Sequence, residues 1–235
     1  MDYTNHVAPL AAPTLSGPES SVGSGFLVQI ESQIYLVTVA HLATGGTSQT
    51  DDWTLWADEI TLHNDEQAVL ASSRLFDVES DGTKVPRFKY ARSSDVPKQI
   101  ADVILLPLES TDDMASMSQI FPLPAPALTA VGQPVVAVGR RPWPTLTTSD
   151  HEVVGLWNGM VRIKPPVQPG YSGGVLLTPS GALLGINYGT DNPMVPGEGL
   201  AMAAGLIVAM HNSSEGFVDT LDYTEEVKQE FSSRA

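Results

Sequence analysis

Short apolar runs rich in β-branched residues, cut at close intervals by Gly, Pro and polar stretches, are what most constrain this chain. FLVQI at 26–30 and QIYLVTVAHL at 33–42 flank a Glu31-Ser32 turn and read as a hairpin. TLWADEITLHN, SSRLFDV and the nearly continuous apolar ADVILLPL follow in the first half. PVVAVGR, EVVGLWNGMVRI, GGVLLT, ALLGINY and GLAMAAGLIVAM form a second series of strand candidates. The 20 glycines and 18 prolines, against 17% charged residues, supply the turns that such a series needs. With 235 residues, 42% of them hydrophobic, the chain can build one large domain or two small ones around a proper core. No repeat of fixed period is visible. The pattern therefore predicts an all-β protein, either two small barrels or a sandwich.

Several classes fall away. The chain has no cysteine, so it has neither a disulfide framework nor a thiolate metal site. We expect such a chain in the cytoplasm, or in an organism that does not rely on disulfides. The N-terminus MDYTNHVAPLAAPTLSGPES lacks the basic and continuous apolar regions of a signal peptide. The most apolar stretch, Leu200 to Met210, is too short to span a bilayer, so no membrane partner is expected. A net charge of −15 and a pI of about 4.5 would repel phosphate backbones, which argues against nucleic acid. The His and acidic residues show no metal-ligand spacing, and the GINYG stretch lacks the Lys-Ser/Thr end of a phosphate loop. No metal and no cofactor are implied.

The sharpest chemical signal is Pro169-Gly170-Tyr171-Ser172-Gly173-Gly174. A serine hydroxyl is a weak nucleophile and must be exposed on a tight turn beside a base. Glycines let the backbone bend so that the Gly170 and Ser172 N–H groups converge on one point, an oxyanion hole. An ordinary Gly-rich hairpin turn would look the same locally. A base is available in His41, at the end of Val37-Thr38-Val39-Ala40, where a barrel strand would deliver it into a cleft. The other histidines, His6, His63, His151 and His211, lie in the N-terminal arm, in polar stretches or near the tail. An orienting carboxylate is offered by Asp102, which opens the apolar run Val103–Leu106 and must there be partnered or exposed. Asp51, Asp52, Asp58 and Asp77 lie in the same half and compete for that role.

With these three segments in the order His, Asp, Ser, the chain resembles the trypsin-like (chymotrypsin-fold) serine peptidases. The matching blocks are GSGFLV–YLVTVAHL, ADVILLPL and VQPGYSGGVLLTPSGALLGIN, closest to the bacterial HtrA-type branch and spread over roughly residues 21–210. The resemblance implies two six-stranded antiparallel β-barrels with the active site between them. The Pro-, Ala- and Ser-rich residues 1–20 read as an extended arm and the acidic, Met- and Pro-rich 111–133 as a linker, which fits a first barrel at 21–110 and a second at 134–212. A helical tail is expected at 213–235, where Tyr223/Val227 and Val227/Phe231 have i,i+4 spacing. The resemblance also implies roles: Ser172 as nucleophile, His41 as general base and acid, Asp102 as orienter, and Gly170 and Ser172 N–H groups on the oxyanion.

The departures are specific. Tyr171 stands where digestive members carry the Asp that pairs with a newly cut N-terminus, so that activation switch is not expected. The stretch between His41 and Asp102 is longer than in the bacterial branch, implying an insertion near 48–98, and no PDZ domain is expected. The family's first specificity pocket would involve Gln168, Asn187, Tyr188, Leu200 and Met202, none of them charged. An apolar or small P1 side chain is therefore expected. The partner expected is a protein or peptide substrate. Two other readings stay open: a peptidase largely inactive until an activating protein partner binds, and an inactive relative acting as a binding module. An α/β-hydrolase is disfavoured, since Ser172 precedes strand-like GGVLLT and the best His comes first.

Overall fold

The structure is a computed structural model and describes residues 7–14, 20–46, 49–92, 98–108, 120–122, 130–157, 160–189, 196–214 and 217–219. In the first half run β1 (Ala8–Pro13), β2 (Ser20–Ile30), β3 (Gln33–Thr38), α1 (Ala40–Thr44), a 3-10 turn at Trp53–Leu55, β4 (Glu59–His63), β5 (Val69–Arg74), β6 (Phe76–Val78), β7 (Lys84–Pro86), β8 (Lys89–Arg92), β9 (Ile100–Pro107) and β10 (Ile120–Pro122). In the second half run β11 (Pro134–Arg140), β12 (Leu146–Trp157), β13 (Met160–Lys164), β14 (Val175–Leu177), β15 (Leu183–Gly189), β16 (Gly199–Ala203), α2 (Gly205–Asn212) and β17 (Phe217–Asp219).

The second half closes into a six-stranded barrel, β11-β12-β13-β16-β15-β14. The first half is a half-barrel sheet in the order β17-β8-β9-β3-β2-β1-β4-β5, with β10 added in parallel to β2. This is the chymotrypsin-like double-barrel arrangement that the resemblance implied. The expected β2–β3 hairpin is present, with Phe26 opposite Val37 and Ile30 opposite Gln33.

β2 is the strand that turns the corner of the first sheet. Its first half pairs with β1 and its second half with β3 and β10. The switch falls at Gly25, where a Cβ would lie 2.4 Å from Leu10 Cδ1 and 3.0 Å from Val37 O. A larger residue there would push the Leu10 and Leu36 side chains and crowd the Val37 carbonyl, so glycine eases the bend.

Three expectations shift. Residues 8–13, expected in the N-terminal arm, form β1 between β2 and β4, with Leu10 fully buried. The run Gly199–Met210, read as one strand, is strand only to Ala203 and then helix. Leu206, Ile207 and Met210 share one buried helical face, a spacing that an apolar run conceals when nearly every residue is apolar. Of the 111–133 linker, Ile120–Pro122 is a strand on the first sheet, and 111–119 and 123–129 lie outside the described residues. Tyr223, Val227 and Phe231 also lie outside them, and Phe217–Asp219 pairs with β8 as a strand.

The stretch between His41 and Asp102 carries its own aromatic cluster. Fully buried Trp56 stacks on Phe88, with centroids 5.2 Å apart, and Trp53 meets Phe76, Phe88 and Tyr90 edge-on or tilted. Such ring pairs add about 0.5–1.5 kcal/mol each beyond burial. Through Trp53 and Phe88 the cluster reaches Tyr90 of β8, the neighbour of the strand that holds Asp102.

Candidate active site

His41 sits in the first turn of α1, directly after β3. Gly45 and Gly46, both with positive φ (65° and 80°), end that helix at once, and the Gly46 N–H donates to His41 O. β9 lies antiparallel to β3 with Thr38 opposite Ile104. Continuing that register places Asp102 beside Ala40 and His41. The His41 main-chain N–H donates to Asp102 Oδ1 at 2.6 Å, and His41 Nδ1 lies 2.5 Å from Oδ2. An ionised carboxylate only accepts, so Nδ1 carries the proton and Nε2 is left as the free basic nitrogen. Asp102 is 4% exposed and the His41 side chain 29%. Thus the carboxylate is sealed beneath a ring whose outer edge reaches solvent.

The electrostatics follow from that burial. For His41, desolvation pushes the imidazolium down, but the hydrogen bond to Asp102 and its charge outweigh it, and the pKa is raised. For Asp102, desolvation pushes the carboxyl up, against hydrogen bonds from the His41 ring and from the His41 and Ala40 amides. The competing acids are occupied elsewhere. Asp51 faces Arg92, Asp52 caps the 3-10 turn through Thr54 N, Asp58 pairs with Lys84 at 2.6 Å, and Asp77 faces Arg87. Among the described residues His41 is the histidine that pairs with a carboxylate. His151 is buried between Ser149 and the Pro165 carbonyl, and desolvation lowers its pKa.

Ser172 lies on the turn before β14, and its glycines are required by contact. Gly170 and Gly173 have φ of 97° and 81°, a region that L side chains rarely adopt. A Cβ on Gly173 would lie 2.1 Å from Ser24 O and 2.6 Å from Thr38 Oγ1, and one on Gly174 2.1 Å from Val138 O. The turn is therefore pressed against β2 and β3 of the first sheet, three residues upstream of His41. The amides of Tyr171, Gly173 and Gly174 donate to Gln168, Asn187 and Tyr171 carbonyls. Those of Gly170 and Ser172, the expected oxyanion donors, have no protein acceptor among the described residues. Arg141 Nη1 donates to Pro169 O at 2.6 Å, holding the peptide that carries the Gly170 N–H. Ser172 Oγ makes a marginal 3.4 Å contact with Tyr188 O and no hydrogen bond to His41. Catalytic hydrogen bonds are often long without substrate.

Of the expected pocket residues, Gln168 is exposed beside the turn. Tyr188 is half-buried, with its carbonyl facing Ser172 Oγ and its phenol pushed up by desolvation and by the Asp102 charge. Asn187 lies deeper. It is fully buried, and its Nδ2 donates to Val138 O and Val175 O, both at 3.1 Å, so its side chain ties β15 to its neighbours inside the barrel. Leu200 and Met202 are buried in β16, at 2% and 8% exposure. Sequence reasoning missed Ser24, Arg140 and Arg141. The only signal was the serine in Gly23-Ser24-Gly25, a small polar residue on an apolar strand.

The family model for the trypsin-like peptidase domain matches residues 23–186, a span that holds the His41, Asp102 and Ser172 blocks. This chain belongs to the trypsin-like peptidase family. Solved structures with the same fold include the HtrA-type protease AlgW with a tripeptide (20% identity, TM-score 0.52, covering 89% of this chain). The serine endoprotease from Yersinia pestis (16%, 0.55, 89%) and the Rv3671c protease from M. tuberculosis in its active form (16%, 0.55, 88%) also share it. This trypsin-like peptidase spans 60% of the AlgW chain, 62% of the Yersinia chain and 79% of the Rv3671c chain. A search of curated proteins finds no significant match.

Proposed function

We propose that this protein is a serine endopeptidase that cleaves through an acyl-enzyme. Ser172 attacks the peptide carbonyl, and His41 Nε2 takes the hydroxyl proton and returns it to the leaving amine. Asp102 holds the Nδ1–H tautomer and offsets the imidazolium charge. The Gly170 and Ser172 amides receive the developing oxyanion. The second half-reaction repeats the sequence with water in place of serine. The observation that carries this reading is the doubly hydrogen-bonded, buried Asp102 beneath His41, on the sheet against which the Ser172 turn is packed.

An apolar or small P1 residue fits the absence of charge at Gln168, Tyr188, Leu200 and Met202. Such a pocket discriminates by only about 1–3 kcal/mol per methylene. Labelling with a fluorophosphonate probe tests the nucleophile: wild-type protein labels and Ser172→Ala does not. A wild-type protein that neither labels nor hydrolyses a peptide library would sink the proposal. Strong cleavage after Arg or Lys would overturn the P1 assignment alone.

A further inference from the structure

Ser24 is fully buried in β2, on the opposite barrel from the Ser172 turn, yet every polar atom it owns is used at their junction. Its N–H donates to Ser172 O at 3.0 Å. Its Oγ accepts from the Arg140 N–H at 3.0 Å, which aims the hydroxyl proton at Gly170 O, 3.1 Å away. Its own carbonyl accepts from Thr38 Oγ1 at 2.7 Å, so Ser24 is itself held by β3. The two carbonyls it grips belong to Gly170 and Ser172, the two residues whose amides are free to bind an oxyanion. Pinning each carbonyl restricts rotation about that residue, and at Gly170, at φ 97° with no side chain, it adds to the Arg141 bond on Pro169 O and the Tyr171 N–H bond on Gln168 O. Preorganised donors matter because they need no reorientation as charge develops.

We propose that Ser24 is a positioning residue for the oxyanion site, setting the Gly170 and Ser172 amides from the first barrel. This rests on the endopeptidase reading above. The test compares wild type, Ser24→Ala and Ser24→Cys, the last slightly larger and with a weaker donor. The probes are a peptide p-nitroanilide with Leu or Ala at P1, the aldehyde of the same peptide, and the corresponding alcohol. The aldehyde forms a tetrahedral adduct with an oxyanion, whereas the alcohol binds without one. In both variants we expect kcat to fall about 10- to 100-fold with KM within about twofold. Aldehyde affinity should fall in step with kcat/KM while alcohol affinity holds. The acid limb of the pH profile should stay in place, because the His41–Asp102 pair is untouched.

Values of kcat within about threefold of wild type in either folded variant would overturn the proposal. So would aldehyde and alcohol weakening equally, which would mark a general loss of packing. Failure of both variants to fold would assign Ser24 to stability and overturn it as well. A wild-type protein that neither labels with fluorophosphonate nor hydrolyses would remove the endopeptidase reading and this one with it. Active wild type with equally active variants would remove this one alone.

Discussion

At His41 two influences on the imidazole oppose each other, and their balance is testable. Desolvation disfavours the charged ring, and the hydrogen bond and charge of Asp102 favour it more strongly. A general base must be neutral to accept a proton, so activity should fall as pH drops through a limb lying above the usual histidine value of about 6.5. A kcat/KM profile against pH checks this, and a limb below that value would contradict the raised pKa. Asp102→Asn removes the carboxylate charge and the correct tautomer, leaving desolvation unopposed. We expect kcat to drop by about 10⁴-fold, the residual limb to move to lower pH, and the fold to persist by circular dichroism. Near-normal turnover in that variant would reassign the acid. Asp102 was one of five candidate acids in the sequence. It stands apart because β9 pairs with β3 in the register that brings it under His41, and no local pattern around residue 102 encodes that pairing.

At the scale of elements, β1 shows how a polar-looking context hides a structural strand. Its sequence, APLAAP, is flanked by Pro and Ser and reads as loose chain. It is buried because β2 bends at Gly25 and leaves its first half needing a partner on one side, while β4 needs one on the other. Leu10 is the apolar anchor of that insertion. Leu10→Ala should cost about 2–5 kcal/mol of stability, measured by denaturant unfolding. A loss under about 0.5 kcal/mol, the range of a surface site, would mean that β1 is a detachable arm. By contrast the Gly199–Met210 segment was legible as apolar and buried, but its change from strand to helix was not. Periodicity distinguishes the two only where polar residues mark an outer face.

For the whole molecule the question is what couples the two barrels across the site. Arg140, at the end of β11 and 4% exposed, supplies much of the answer. Its guanidinium donates to Val7 O, Pro144 O and Asp65 Oδ1, and its backbone N–H to Ser24 Oγ. One second-barrel residue thus gathers the start of β1, the β4–β5 turn and the junction beneath the serine turn. Arg140→Met keeps bulk and removes the donors. The backbone N–H on Ser24 remains, so we expect faster amide hydrogen exchange in β1 and in the β4–β5 turn together, with the closed barrel unchanged. Exchange altered in only one of those segments would show that Arg140 does not link them. The sequence by itself determined the all-β class, the two strand series and the serine turn. Those depend on local facts: β-branched runs, turn residues, and glycines where a nucleophile must be exposed. The pairing of β3 with β9 that selects Asp102, the burial of Asn187 inside the barrel, and the roles of Ser24 and Arg140 were decided by tertiary structure alone. Each depends on which distant strands come within hydrogen-bond reach, and that distance is set by the closure of the sheets rather than by neighbouring residues.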